Sequence, residues 1–143
     1  MRAKAFLDTN IVVYTFDASE PRKQDIARQL VAKALTEPGS AVVSWQVVQE
    51  FLNVATTKFA VPLTAVDART YLHQVLVPLC EVYPDAAVYE DGLAIQDRHG
   101  FSFYDSLVLA SAVRAGCVRL YSEDLQDEFR LGRLQVVNPF RQA

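Results

Sequence analysis

Short β-type runs separated by helix-length segments constrain this chain more than any other feature. "KAFL", "AVVS", "LCEVY", "VRLY" and "LQVV" are brief and apolar, as buried strands are, and six longer stretches between them, "DAAVYEDGLAIQDRHG" among them, read as helices. "EPRKQDIARQLVAKAL" places Ile26, Leu30 and Ala34 at helical spacing, and "WQVVQEFLNVATTKF" puts Val47, Val48, Phe51, Leu52 and Ala55 on one face before Pro62. "TNIVVYTF" opens a further helix directly after the first strand. Thr64 with Asp67, and Ser102 with Asp105, fit the S/T-x-x-D/E pattern that starts a helix, and Gly100 and Gly116 stand where helices close. Strand–helix alternation of this kind predicts an α/β sandwich with a mostly parallel sheet. At 143 residues and 51% hydrophobic content, the sequence reads as one domain over 1–143, long enough to bury about two-thirds of its unfolded surface.

That topology gives the acidic residues an address. Ligands of open parallel sheets bind beyond the carboxyl ends of the strands. Asp8 follows "KAFL" directly, and Asp124 follows "VRLY" after only Ser122 and Glu123. Asp105 sits in the first turn of a helix apolar nearly all round (Leu107, Val108, Leu109, Ala110, Ala112, Val113), which should therefore be buried. Glu50 falls at the border of the apolar arc of its helix, between Val47 and Val54. Each has an ordinary alternative: a helix N-cap for Asp8, a capping partner of Ser102 for Asp105, a solvated helix face for Glu50, a surface turn for Asp124. All four nevertheless map to one sheet edge.

Four converging carboxylates repel one another and are tolerated at neutral pH by binding protons or cations. An oxygen-only donor set with no His or Cys selects a hard ion, Mg²⁺ or Mn²⁺, over zinc. Thr9, Asn10 and Ser122 are short polar groups suited to orienting the carboxylates or an ion's water. Such an ion would act as a Lewis acid and activate a bound water, with Glu50 or Asp124 orienting that water.

Other features bound the reading. With 14 Lys+Arg against 17 Asp+Glu, the net charge of −3 lacks the footprint of a simple DNA-binding module. "MRAKAFLD" has no apolar core like that of a signal peptide and no stretch approaches a membrane span, so a cytoplasmic protein is expected. Cys80 and Cys117 lie in apolar contexts without C-x-x-C spacing and read as buried free thiols. His73 and His99 are distant from the acidic motifs, and His99 sits at a helix end. Arg98, Arg114, Arg119, Arg130 and Arg133 are candidates to hold flanking phosphates. Phe59, Val61 and Leu63 add apolar surface suited to a homodimer or a partner segment, with plain core packing as the alternative. A haloacid-dehalogenase-type phosphotransferase needs a second Asp where Asn10 stands, and the G-x-S-x-G elbow of a serine hydrolase is absent.

"FLDTNIVVY", the Glu within "SWQVVQEF", "FYDSLVLASAVRAGC" and "LYSEDLQDEF" ending in "VVNPF" resemble, in order, the motifs of PIN-domain nucleases, most closely the toxin halves of VapC-type toxin–antitoxin pairs. The resemblance runs from Asp8 to Phe140. It implies a three-layer α/β/α fold and a metal-dependent endoribonuclease, commonly dimeric and silenced by a cognate antitoxin. It makes Asp8, Glu50, Asp105 and Asp124 the acidic quartet, with Asp8 and Asp105 the principal Mg²⁺ ligands. The last motif departs from the tightest pattern by carrying Glu123, Asp127 and Glu128 as extra acids, any of which could join Asp124. A catalytically silent PIN-like module that binds RNA or a protein is the alternative function.

Overall fold

The computed structural model describes residues 4–141, so the first three positions of "MRAK" lie outside the described residues. Six strands, β1 (Ala5–Leu7), β2 (Ala41–Ser44), β3 (Cys80–Val82), β4 (Arg119–Tyr121), β5 (Arg130–Leu131) and β6 (Leu134–Val137), form one sheet in the order β3-β2-β1-β4-β6-β5. All neighbours are parallel except β5, which pairs antiparallel with β6. The sequence offers no expectation of that two-residue hairpin strand: "RL" is too short to show a period, and only the Gly132 turn (φ 58°) marks it.

Helices flank the sheet: α1 (Thr9–Tyr14), α2 (Pro21–Thr36), α3 (Trp45–Thr57), α4 (Ala65–Tyr71), α5 (Val77–Leu79), α6 (Ala86–His99) and α7 (Phe103–Arg114). Several caps have a local cause. Thr64 accepts from the Asp67 amide, Asp85 from Val88 and Ser102 from Asp105, each satisfying an orphan N–H. The helix that Thr64 starts runs on, through a π-helical turn (Leu72–Leu76) and α5, to Leu79. Pro78 falls in the first turn of α5, where its missing N–H costs least.

The core is a continuous cluster centred on β1, β2 and β4, with Phe6, Leu7, Ile11, Val42, Val43, Phe51, Leu109 and Leu120 fully enclosed. In α2 the buried face is Ala27, Val31 and Ala34; Ile26 and Leu30 are only half-buried against it. α7 is enclosed from Ser106 to Ala112, but Val113 is exposed, contrary to the all-round burial expected. Val113 lines an open cavity with Ile95 of α6 and Leu131 and Leu134 of the β5–β6 hairpin, whereas the start of α7 is covered by α6: a Cβ at Gly92 would lie 2.9 Å from Leu107 Cδ2. Cys117 is buried and Cys80 half-buried, and both are free. Among the described residues no helix is long and apolar enough to cross a membrane.

Candidate active site

The carboxyl ends of β1 and β4 are adjacent, and the Asp8 amide donates to the Tyr121 carbonyl at 3.0 Å. Asp8 is extended (φ −72°, ψ 163°) and is itself the N-cap of α1: its Oδ1 accepts from the Thr9 amide at 2.8 Å. The ordinary capping role is therefore real, but it occupies one oxygen. Oδ2 accepts from Ser122 Oγ at 2.7 Å and faces Asn10 Nδ2 at 3.4 Å. With 7% exposure, this is a buried carboxylate. Burial pushes its pKa up to about 6; the bonds from Ser122 and Thr9 hold it down in part, and the charges of Glu50 and Asp124 raise it further.

Thr9 and Asn10 extend the arrangement to the other acids. Thr9 Oγ1 donates to Glu50 Oε1 at 2.9 Å, tying the first turn of α1 to the second turn of α3. Asn10 Nδ2 donates to Asp124 Oδ2 at 3.1 Å, and its Oδ1 accepts from the Glu123 amide at 3.1 Å. Ser122, fully enclosed, accepts from the amides of Asp124 and Leu125 while donating to Asp8. Thus three of the four candidate acids share one short network through the three supporting residues. Asp105 stands apart from it: half-buried in the first turn of α7, it is joined through its amide to Ser102. Its helix is fastened beside α3 by Gln46, whose Nε2 donates to the Tyr104 carbonyl at 3.3 Å. Among the described residues no three His, Cys, Asp or Glu side chains are already drawn together as a ready-made ion site.

The extra acids of the last motif are committed elsewhere. Glu123 turns away to Lys23 Nζ and the Tyr14 hydroxyl, each at 2.5 Å. Burial alone would raise its carboxyl, but the bonds from Lys23 and Tyr14 outweigh burial and hold it below its usual range. Asp127 accepts from the Asn138 amide and from Arg141 at 2.8 and 2.6 Å, and that cation holds its carboxyl below the usual range. Glu128 is exposed in a left-handed turn (φ 68°), its amide bonded to the Val136 carbonyl.

Several expected phosphate contacts lie at the wrong edge. Arg119 begins β4, Arg133 precedes β6 and Arg114 ends α7, all at the opposite edge from Asp8, with Arg114 paired to Asp85 at 2.6 Å. Arg130 donates to Gln135 at 3.3 Å across the β5–β6 hairpin. His99 packs edge-on against Phe129, with ring centroids 5.2 Å apart. Phe59 and Leu63, expected at a partner surface, are half-buried against the core, Phe59 within an aromatic cluster of Phe16, Phe51 and Tyr71; only Val61, 84% exposed, projects as expected. Sequence reasoning passed over Tyr14, Lys23 and Gln46. Lys23 lies 100 residues from its partner Glu123, and no local pattern marks such a pairing.

A mostly parallel α/β sheet with a buried acid after its first strand, linked to acids from the helix after the second strand and the loop after the fourth, defines a recognisable class of sheet-edge sites. A family model of the PIN domain matches residues 5–130, and the chain belongs to that family. Its fold is similar to that of a toxin–antitoxin complex from Klebsiella pneumoniae (TM-score 0.69, 18% identity, 95% of this chain and 98% of that one). It is also similar to Mycobacterium tuberculosis VapC20, described as a sarcin–ricin loop cleaving toxin (0.63, 19%, 85% and 90%). A third likeness is to VapBC2 from Rickettsia felis bound to a promoter DNA fragment (0.62, 16%, 92% and 96%). A search of curated proteins finds no match.

Proposed function

We propose that this chain, as one domain over 1–143, is a Mg²⁺-dependent endoribonuclease and the toxin of a toxin–antitoxin pair, working in the cytoplasm. The observation that carries the reading is Asp8, a buried carboxylate at the strand edge whose pKa is pushed up by burial and by Glu50 and Asp124. A divalent cation would relieve both effects, and the all-oxygen donors Asp8, Glu50, Asp105 and Asp124 fit Mg²⁺, with Mn²⁺ as a substitute. In this reading Asp8 and Asp105 hold the ion and Glu50 and Asp124 flank it. When bound, the ion supplies Lewis acidity and neutralises phosphate charge.

The protein's own groups do the positioning. Ser122 and the Thr9 amide fix both oxygens of Asp8, Thr9 Oγ1 orients Glu50, and Asn10 orients Asp124. Glu50, exposed and held from one oxygen, orients the attacking water for in-line displacement. The toxin assignment draws on the toxin–antitoxin neighbours, and RNA as substrate on the VapC20 likeness. Homodimer formation and antitoxin docking have exposed apolar side chains to use, including Val61, Val66 and Val77.

The test is cleavage of a structured RNA and a matched DNA by wild type and Asp8→Asn, each with Mg²⁺, Mn²⁺ and EDTA. RNA cleavage requiring both metal and Asp8 supports the reading. RNA binding without cleavage, unaffected by EDTA or by Asp8→Asn, overturns it in favour of a silent binding module.

A further inference from the structure

Beyond Tyr121, where β4 ends, residues 122–125 turn, Ser122 Oγ accepting from the amides of Asp124 and Leu125. Three of these side chains take separate partners: Ser122 donates to Asp8, Glu123 accepts from Lys23 and Tyr14, and Asp124 accepts from Asn10. The Glu123 contact is half-buried and uses both carboxylate oxygens. Lys23 Nζ meets Glu123 Oε2 and Tyr14 Oη meets Glu123 Oε1, both at 2.5 Å, while Lys23 also lies 3.3 Å from the Tyr14 hydroxyl. The ammonium sits 5.0 Å above the Tyr14 ring and 5.8 Å from that of Phe140, and the two rings pack edge to face at 5.0 Å. All three side chains come from different places: α1, α2 and the loop after β4.

We propose that Tyr14, Lys23 and Glu123 form a positioning clasp that fixes the 122–124 segment, so that Asp124 reaches Asn10 and Glu123 is kept out of the acidic site. The inference rests on the metal-dependent reading above. The geometry supplies the mechanism. Glu123 is anchored at both ends, its carboxylate by Lys23 and Tyr14 and its amide by Asn10 Oδ1, and the same Asn10 side chain donates to Asp124. Loosening the carboxylate frees the peptide to rotate and shifts the Asn10–Asp124 contact with it.

Through-space electrostatics and positioning predict opposite signs for one variant. Deleting the Lys23 charge makes the neighbourhood more negative, which by charge alone tightens binding of a cation. As a clasp member, Lys23 should weaken it when removed, roughly 10-fold, the lower range for groups that orient metal ligands. The experiment measures Mn²⁺ affinity by calorimetric titration of wild type, Lys23→Met, Glu123→Gln, the double variant and Lys23→Arg, with thermal unfolding as a fold control. Expected are weaker Mn²⁺ binding in both single variants, a double variant no worse than either single, and recovery in Lys23→Arg. Unchanged or tighter binding in folded Lys23→Met overturns the clasp while leaving the nuclease reading intact. Wild type that binds no Mn²⁺ overturns both.

Discussion

In metal-free protein, Asp8→Asn should stabilise the fold at neutral pH, and the gain should vanish in mild acid. The Asp8 carboxyl moves from an ordinary 3.8 to about 6 in the folded state, chiefly through burial. A group raised in this way contributes stability that is fully present below the unfolded pKa and is lost as pH rises through the folded one. The loss integrates to about 3 kcal/mol, of which about 2 falls between pH 4.5 and 7.5. Asparagine does not ionise and avoids it. Its amide nitrogen cannot accept from Ser122 as Oδ2 does, which costs about 1 kcal/mol at every pH. The net expectation is a variant about 2 kcal/mol more stable than wild type at pH 7.5 and about equal at pH 4.5. Urea unfolding in EDTA at both pH values measures this directly. Saturating Mg²⁺ should close the gap at pH 7.5 by stabilising wild type alone, by about 2.7 kcal/mol at 100 times Kd. A stability difference between the two proteins that is the same at pH 4.5 and 7.5 would refute the reasoning, because the pH-independent terms cancel in that comparison.

The same contacts set the outcome of other substitutions. Ser122→Ala should lower stability by about 2–3 kcal/mol in chemical denaturation, since it strips a fully enclosed hydroxyl from Asp8 and from the amides of Asp124 and Leu125. Phe51→Ala, at the centre of the Phe16–Phe59–Tyr71 cluster, should cost about 3–5 kcal/mol by the same assay. Gly92→Val should cost roughly 2 kcal/mol through its clash with Leu107, and Gly92→Ala less, because higher helix propensity offsets a smaller clash. Arg119→Ala and Arg133→Ala should leave the rate of RNA cleavage within about twofold of wild type, as both lie across the sheet from Asp8; a large loss in either would place substrate on the opposite edge.

Much of this architecture is written locally. The S/T-x-x-D signals at Ser102 and Thr64 mark where α7 and α4 begin because a cap and its amide lie three residues apart. Strand–helix alternation and the position of Asp8 after β1 likewise require only short windows, and they are enough to send an acid to the carboxyl edge of a parallel sheet. The motifs at Asp8, Glu50, Asp105 and Asp124 also carried the family resemblance, which the match over residues 5–130 shows.

Encounters between distant segments come from packing alone. The sequence places Glu123 beside Asp124 as an extra acid that could join it; Lys23, from α2, holds Glu123 while Asn10, from α1, holds Asp124. Asp8 can be recognised as a helix cap from its neighbours, but the enclosure that raises its pKa depends on β4 lying next to β1 and bringing Ser122 against it. The arginines look equivalent in the sequence, and strand direction alone assigns Arg119 and Arg133 to the far edge. Periodicity and capping act over a few residues and survive in any context, whereas hydrogen-bond partners and burial are properties of which elements pack together, and those exist only once the chain has folded.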